Sequence, residues 1–252
     1  MTTATTTLVI QREPGLSGQT VVVIGGSSGI GLETARQARA EGAEVILTGR
    51  HGERLEQPAR ELGAISTAAF DATDPGALGR FFDSLQTPVD HVMVTAGDPP
   101  YGSLLDVSPE EARRLLTGRL VLPIDVARAA VGKVRPPGSL IFMGATGHRR
   151  PRTGEGIIST VSAATPTLIA NLALELAPVR VNQVAPGFVD TRLSAALLGD
   201  DLDARRDELR ATLPIGRVVG PADVAALAVH LMINTAATGA TYDIDGGQQL
   251  VA

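Results

Sequence analysis

The fold is decided by Val21-Val22-Val23-Ile24-Gly25-Gly26-Ser27-Ser28-Gly29-Ile30-Gly31, where an apolar run breaks into glycines and then resumes in helical spacing. Four apolar β-formers before the first glycine predict a parallel strand that is buried on both faces. A helix that starts after such a turn directs free N–H groups and the positive end of its dipole at the space above the turn. A pyrophosphate suits that space, so the stretch indicates a dinucleotide site.

The glycines of this stretch have separate predicted roles. Gly25 permits the tight turn, Gly29 lets the backbone approach a phosphate, and Gly31 lets the helix pack on the strand. Ser28 is a further candidate for a phosphate contact. The spacing also fits an ordinary strand-turn-helix corner, so the rest of the chain has to decide between the two interpretations.

Strand and helix patterns alternate through the remainder of the 252 residues. Residues 1–16 are predicted to form a flexible tail and residues 17–252 a single α/β domain with a doubly wound, seven-stranded parallel sheet flanked by helices. The predicted strands are Val21–Ile24, Val45–Thr48, Ile65–Phe70, Val92–Thr95, Leu140–Met143, Val179–Val184 and Ala240–Ile244. The predicted helices are Gly31–Glu41, Glu53–Leu62, Gly76–Leu85, Pro109–Leu116, Leu120–Lys133, Ile157–Leu176, a pair between Thr191 and Thr212, and Ala222–Met232.

Composition and charge exclude several classes of function. The net charge is −5 with intermixed signs, which disfavours a nucleic-acid partner. Without cysteine the chain has no thiolate nucleophile and no cysteine-ligated metal, and its four scattered histidines indicate no metal site. The N-terminus lacks the pattern of a signal peptide, and we expect no stretch long enough to span a bilayer. A cytoplasmic protein without a membrane partner is the resulting prediction.

The ends of the second and third strands bear on the choice of cofactor. Gly49 stands where an NAD site usually has a carboxylate, and Arg50 suits a 2′-phosphate, so NADP(H) is favoured. The alternative is that Arg50 and Arg54 merely solvate the start of a helix. Asp71 is a candidate acceptor for the adenine amino group or a cap for the helix that begins near Pro75.

Several motifs together resemble the short-chain dehydrogenase/reductase superfamily. They are Gly25 to Gly31 with Ile24 in place of the usual Thr, Thr95-Ala96-Gly97, the run from Val181 to Thr191, and Asp245-Gly246-Gly247. The resemblance implies one Rossmann-fold domain, a hydride cofactor and commonly a homotetramer. The cofactor-binding residues predicted from the residues and the resemblance are Gly25, Ser27, Ser28, Gly29, Ile30, Gly31, Arg50, Asp71, Ala72, Ala96, Gly97, Pro186, Gly187, Val189 and Thr191.

The catalytic positions depart from this family's pattern. The family uses a Tyr in a YxxxK motif with a Ser upstream and an Asn further back, whereas this chain has two tyrosines, Tyr101 and Tyr242, and Lys133 as its one lysine. No YxxxK motif can therefore exist in the chain. Alignment with the family puts Ala145 at the Ser position, Ile158 at the Tyr, Ser162 at the Lys and Gly118 near the Asn. Of these, only Ser162 retains a hydroxyl for a cofactor ribose.

Position alone suggests replacement proton donors. His148 and Thr146 lie just after the fifth strand, and Tyr101 lies in the loop after Gly97. A histidine titrates near neutrality and can act as acid or base, but the segment also fits a solvated basic loop, and Tyr101 also fits a residue that merely covers the cleft. Phe188–Arg210 is predicted to form a helical lid.

Two classes of function are consistent with these features. In the first, the chain is an atypical NADP(H)-dependent oxidoreductase for a small organic substrate that needs little acid help, such as an activated alkene or an iminium ion. In the second, it binds the cofactor without turnover, as a regulatory or scaffold protein. We also expect a homodimer or homotetramer formed through Leu120–Lys133 and Ile157–Leu176, whose small residues allow close helix approach. Those residues are Ala127, Ala130, Ala163, Ala164 and Ala170, and they fit packing against the chain's own sheet equally well.

Overall fold

A seven-stranded sheet forms the centre of the computed structural model, which describes residue 13 and residues 15–97, 104–150 and 152–251. All neighbouring strands pair in parallel, and the spatial order is β3-β2-β1-β4-β5-β6-β7. The order reverses between β1 and β4, which is where an open α/β sheet binds its ligand. The strands are β1 Thr20–Ile24, β2 Glu44–Gly49, β3 Ser66–Ala69, β4 Val89–Val94, β5 Val134–Met143, β6 Arg180–Pro186 and β7 Thr241–Ile244.

Helices cover both faces of the sheet, as predicted. They are α1 Gly29–Ala40, α2 Glu53–Leu62, α3 Pro75–Ser84, α4 Pro109–Leu116, α5 Leu122–Ala130, α6 Gly156–Glu175, α7 Arg192–Leu198, α8 Leu202–Thr212 and α9 Pro221–Ile233. The prediction of one helix over Leu120–Lys133 was wrong in detail. A π-helical segment, Thr117–Val121, joins α4 to α5, and α5 ends at Ala130.

The central position of β1 explains why residues Val21 to Ile24 are all apolar. Val22 and Ile24 belong to a core that also contains Leu78 of α3, whereas Val21 and Val23 belong to a second core on the opposite face. Since successive side chains of a strand point to opposite faces, both faces of β1 are covered and neither admits polar residues. This confirms the interpretation of the apolar run as a doubly buried strand.

Two sequence-based expectations need correction. Leu16, assigned to the tail, is fully buried, and its N–H donates to Glu41 O at 2.9 Å, so the folded domain includes residues 15 and 16. Helix α6 is, by length and composition, able to cross a membrane, with a mean hydropathy of 1.5 over 18 residues. Half of that window is buried in the fold, where Ile169 and Leu172 pack in the same core as Leu140.

Polar side chains stabilise the amino edge of the sheet, where the strands begin. The buried Arg180 guanidinium donates to five backbone carbonyls, four of them at or beyond the end of α9. His91 is also buried, with Nε2 2.7 Å from Gln19 Oε1 and Nδ1 2.9 Å from Ser139 Oγ. Burial, and secondarily the charge of Arg180, lowers the pKa of His91 to about 4. At the same edge, Lys133 Nζ lies 3.1 Å from Asp83 Oδ1.

Candidate functional site

The glycine loop after β1 leaves no room for side chains at two positions. Gly25 has φ +99°, and a Cβ there would lie 2.6 Å from Thr95 Oγ1 and 2.9 Å from the amide nitrogen of Ala96. A Cβ on Gly31 would overlap the carbonyl oxygen of Gly25. The Thr95 hydroxyl donates to Gly25 O at 3.0 Å and so ties the loop to the end of β4. The loop is therefore a cradle made of backbone, held from beneath by Thr95.

A second loop faces the first across the cleft. Gly29 has φ +56°, and a Cβ there would lie 3.9 Å from the methyl carbon of Thr191. Thr191 caps α7, because its Oγ1 accepts from the N–H of Ser194 at 3.2 Å and its own N–H donates to Ser194 Oγ at 2.7 Å. The structure thus brings together the predicted phosphate-binding residues of the glycine loop and of the loop after β6, although the Thr191 hydroxyl is engaged with α7.

The end of β2 lies beside the glycine loop, and the end of β3 lies next to that of β2. Ser27 Oγ is 3.7 Å from where a Cβ on Gly49 would be. The pKa of Asp71 lies below its ordinary value, mainly because Thr73 donates its N–H and its hydroxyl to Asp71 Oδ1, and in smaller part because Arg50 carries a nearby positive charge. Arg50 and Asp71 are therefore neighbours at this end of the cleft.

The alternative role of Asp71 as a helix cap was wrong. The carboxylate that caps α3 is that of Asp74, which accepts from the N–H groups of Gly76 and Ala77. Ala72 has its side chain buried in the core, so only its backbone is available to a ligand.

The predicted nicotinamide side of the cleft is formed by two loops. Pro186 O accepts from the N–H of Thr146 at 3.2 Å, which joins the exits of β5 and β6. Phe188 N donates to Gln248 Oε1 at 2.8 Å, and this Gln248 side chain fills the space where Gly187 would carry a Cβ. Val189 is 8% exposed and pairs with Val219. The structure places these residues, Pro186 to Val189, at the carboxyl edge of the sheet next to the exit of β5.

Gly97 and Gly118 face one another near the same place. Gly97 has φ +109°, and a Cβ there would lie 3.2 Å from Gly118 O. Gly118 belongs to the π-helical segment, a rare conformation that is frequent at functional sites. Ala96, which precedes Gly97, donates its N–H to Ile24 O at 3.1 Å. The position near the family's Asn thus lies beside the predicted cofactor loop with no side chain to offer.

The three residues predicted to align with the family's Ser, Tyr and Lys offer no free proton donor in the structure. Ala145 follows β5 and has only a methyl group. Ile158 is 6% exposed and lies beside Gly147, since its Cγ2 is 3.8 Å from where a Cβ on Gly147 would be. Ser162 is buried and donates its hydroxyl proton to Ile158 O at 2.6 Å. The idea that Ser162 donates to a cofactor ribose therefore has no support in this geometry.

Two of the three replacement donors can be located. His148 lies in a single 3-10 turn, Gly147–Arg149, and within the described part of the chain its buried Nδ1 has no hydrogen-bond partner. Thr146 precedes this turn and is only 8% exposed. Tyr101 lies outside the described residues. Of the two located groups, the partly exposed His148 is the more accessible to a ligand.

Several side chains around the cleft escaped the sequence analysis. Arg149 Nη2 lies 2.6 Å from Asp243 Oδ2, which links the His148 turn to β7. Arg206 of α8 donates from two nitrogens to Asp190 at 2.8 and 2.9 Å, and the Arg205 guanidinium lies 5.9 Å from the centre of the Phe188 ring. Of these contacts, only the one with Asp243 has a signal in the sequence, because a charged residue is unusual within a short strand such as Thr241-Tyr242-Asp243-Ile244.

Comparison with known proteins agrees with this geometry. A family model for enoyl-(acyl carrier protein) reductases matches residues 6–249. The NADP-dependent (R)-specific alcohol dehydrogenase of Lentilactobacillus kefiri is 31% identical over 249 residues, covering 92% of this chain and 97% of that protein.

Solved structures are similar over nearly the whole chain as well. The MalC reductase/Diels-Alderase of Malbranchea aurantiaca superposes with a TM-score of 0.88 at 26% identity, over 94% of this chain and 99% of that one. A short chain dehydrogenase of Burkholderia cenocepacia in complex with NADP has a TM-score of 0.82 at 28% identity, over 92% and 98% of the two chains.

The fold and the glycine cradle define a dinucleotide-binding oxidoreductase scaffold. The chain belongs to the short-chain dehydrogenase/reductase superfamily.

Proposed function

We propose that the chain is an NADP(H)-dependent oxidoreductase that transfers hydride to or from a small organic substrate without the Tyr/Lys proton relay of its family. The observation that carries the proposal is a contrast within one cleft. The backbone cradle of Gly25 and Gly31 is intact, whereas Ala145, Ile158 and Ser162 occupy the positions of the relay.

The residues present fit the cofactor. A cradle that admits no Cβ lets backbone N–H groups approach a pyrophosphate, and the start of α1 adds a favourable dipole. When bound, the nicotinamide supplies or accepts the hydride. The chain's own residues would bind and orient it through the glycine loop, the ends of β2 and β3, Ala96 and Gly97, and the loop from Pro186 to Thr191.

Preference for NADP(H) over NAD(H) is supported by Arg50. Gly49 offers no carboxylate for a ribose 2′-hydroxyl, and the adjacent guanidinium suits a 2′-phosphate. The relatives agree in their names, since the Lentilactobacillus protein is NADP-dependent and the Burkholderia structure contains NADP.

The missing relay restricts the substrate. Reduction of a simple ketone needs a proton for the nascent alkoxide, and a positioned general acid is worth about 10² to 10⁴ in rate. An activated alkene or an iminium ion needs less help, because the first gives a delocalised enolate that water can protonate and the second already carries its proton. The description of the matching family model, enoyl reduction, belongs to the first of these classes. His148 is the proposed donor, with Tyr101 and Thr146 as alternatives.

A cofactor-binding protein without turnover is the second candidate. It is favoured by the same observation, because three of the family's polar catalytic positions hold Ala145, Ile158 and a serine that donates to its own helix. Such a protein would retain the cradle for regulation or scaffolding.

The test follows NADPH oxidation against ketones, enones and cyclic imines for the wild type and for His148→Gln. We expect turnover of an enone or an imine and poor turnover of simple ketones, with a loss of at least about tenfold in the variant for the enone but not for the iminium ion, which already carries its proton. Robust ketone turnover would contradict the mechanism, and inactivity on every class together with tight NADPH binding would favour the second candidate. An enone that is reduced at an unchanged rate by His148→Gln would transfer the role of donor to Tyr101 or Thr146.

We further propose that the chain forms a homodimer or homotetramer through α5 and α6. Exposed apolar side chains on and next to these helices support this proposal, namely Val121, Ile124, Val131 and Leu174. Of the two roles open to the alanines, Ala127 and Ala130 have the one in the chain's own core, whereas Ala163 and Ala164 are exposed. Light scattering that gave a 26.0 kDa particle would contradict self-association. The lid, the tail before Gly15, the cytoplasmic location and the lack of nucleic-acid or membrane partners stay predictions.

A further inference from the structure

The turn that carries His148 is anchored on one side to α6. Ser159 donates its hydroxyl to Gly147 O at 3.0 Å, and Ile158 lies against the same glycine. Within the turn, Arg149 N donates to Thr146 O at 3.1 Å. These contacts fix the backbone of the turn against α6, and Thr146, just before it, donates its N–H to Pro186 O at the exit of β6.

On the other side, an ion pair attaches the turn to β7. Arg149 Nη2 lies 2.6 Å from Asp243 Oδ2, with the carboxylate side chain 18% exposed. Asp243 pairs in register with Ala185 of β6, so the Arg149 side chain extends from the exit of β5 across β6 to β7. The ion pair therefore spans three strands at the edge where Pro186 to Val189 lie.

Asp243 is an unfavourable residue for strand stability alone. Its Oδ1 is buried and, within residues 15–97, 104–150 and 152–251, has no hydrogen-bond partner, while Oδ2 also accepts from Gln249 Nε2 at 3.1 Å. An incompletely satisfied buried carboxylate costs free energy, and aspartate is a poor β-former. The contact with Arg149 offsets part of this cost, and through it Asp243 attaches the His148 turn to β7.

His148 lacks the hydrogen bond that commonly orients a histidine acting as acid or base. A general base or acid is commonly oriented by a hydrogen bond from its second ring nitrogen to a third group. Here, among the described residues, His148 Nδ1 has no such partner. The position of the imidazole then follows from the position of the turn.

We propose that Arg149 and Asp243 are positioning residues that hold the turn so that His148 faces the cleft. The inference rests on the proposed function for the role of His148 as proton donor, but the anchoring itself does not. Neither residue is proposed to contact substrate or cofactor.

The test uses NMR of the full chain with labelled histidine side chains. His148→Gln assigns one of four imidazole signals. In Asp243→Asn we expect the His148 signal to shift and broaden and amide exchange of residues 147–149 to speed up by about tenfold or more, while the signals of His51 and His230 stay in place. Asp83→Asn breaks the exposed pair with Lys133 at the opposite edge and is the matched control, with no change at His148.

A second single variant and a charge-exchange variant distinguish a local effect on the turn from misfolding of the chain. Arg149→Gln, at a side chain that is 46% exposed, should reproduce the effect of Asp243→Asn. The charge exchange Arg149→Asp with Asp243→Arg should restore much of the wild-type signal. An unchanged His148 signal in both single variants would overturn the positioning role. If the signal responds but His148→Gln turns over its substrate normally, the positioning role stands and the proposed proton donor is wrong.

Discussion

The glycine loop and the exit of β5 lie at the same edge of one sheet, yet the first is formed by backbone atoms and the second by side chains. The loop is shaped by backbone, and a Cβ on Gly31 would overlap the carbonyl of Gly25. The exit of β5 and the start of α6 present side chains to the cleft instead, and in the proposed alignment Ala145 and Ile158 stand at the family's Ser and Tyr positions. A site made of backbone is difficult to alter without disturbing the fold, whereas a site made of side chains can change its chemistry while the fold persists.

The largest expected effect comes from filling the backbone cradle. Gly31→Ala should weaken NADPH binding by more than about a hundredfold and lower the free energy of unfolding by about 1–3 kcal/mol, because the methyl group meets backbone that cannot move aside. Calorimetry and denaturant unfolding measure the two effects. Gly79→Ala in α3 is the matched control, since no atom lies within 4 Å of its Cβ position, and it should leave binding unchanged. Equal behaviour of the two variants would refute the cradle.

Removal of one charge tests the cofactor side at its adenine end. Arg50→Ala should cost about 1.5–3 kcal/mol of NADPH affinity, which is about tenfold to more than a hundredfold, and leave NADH affinity unchanged. Arg54→Ala, at the start of α2, is the control with little expected effect. If both substitutions weaken NADPH and NADH alike, the two arginines act by general charge and the NADP preference has another source.

His91 lies at the amino edge of the sheet, opposite the edge that carries the two halves of the cleft. Because burial lowers the pKa of His91 to about 4, protonation favours the unfolded chain. The contribution of neutral His91 to the free energy of unfolding is full above about pH 6.5 and is lost as the pH falls towards 4. The free energy of unfolding should therefore fall by about 2 kcal/mol between pH 7 and pH 5 because of this residue. Denaturant unfolding of the wild type and His91→Gln at both pH values measures this, with His51→Gln as an exposed control. An equal pH slope in wild type and His91→Gln would show that His91 does not carry it.

The smallest effect is expected at Ser162, which the proposed alignment places at the family's Lys position. Ser162 donates its hydroxyl to Ile158 O, so Ser162→Ala should change NADPH affinity by less than about twofold. Fluorescence titration of NADPH is sufficient to detect a difference. A loss of about tenfold would mean that this hydroxyl binds the cofactor after all, and that the two halves of the cleft differ less than proposed.

The sequence was most informative where the backbone determines the structure. The doubly buried β1, the glycine spacing and the alternation of strands and helices predicted all seven strands and the sheet, because periodicity and glycine have direct geometric consequences. The contacts between Arg149 and Asp243, between Phe188 and Gln248, and between Asp190 and Arg206 were missed. They join residues 16 to 94 positions apart, and no local pattern encodes such a pairing.

Misjudged details have similar causes. Asp74 stands directly before Pro75, which is the pattern of an N-cap followed by a proline at the first helical position, whereas Asp71 is held in a turn that Thr73 closes. Ala127 and Ala130 fit either an interface or a core, and the rotation of α5 about its axis decides for the core. Leu16 was assigned to the tail because a lone leucine between glycine and serine has no periodicity, although the fold buries it completely.

Lys133, which pairs with Asp83, is the only lysine in the sequence, and its place in the fold has a practical consequence. It precedes β5 and lies at the amino edge of the sheet, whereas the glycine loop and the His148 turn lie at the carboxyl edge. Apart from the N-terminal amine, an amine-reactive linker has one side chain to attack. Attachment to a solid support through Lys133 would therefore orient the molecules alike, with the cofactor cleft directed away from the surface and open to solution.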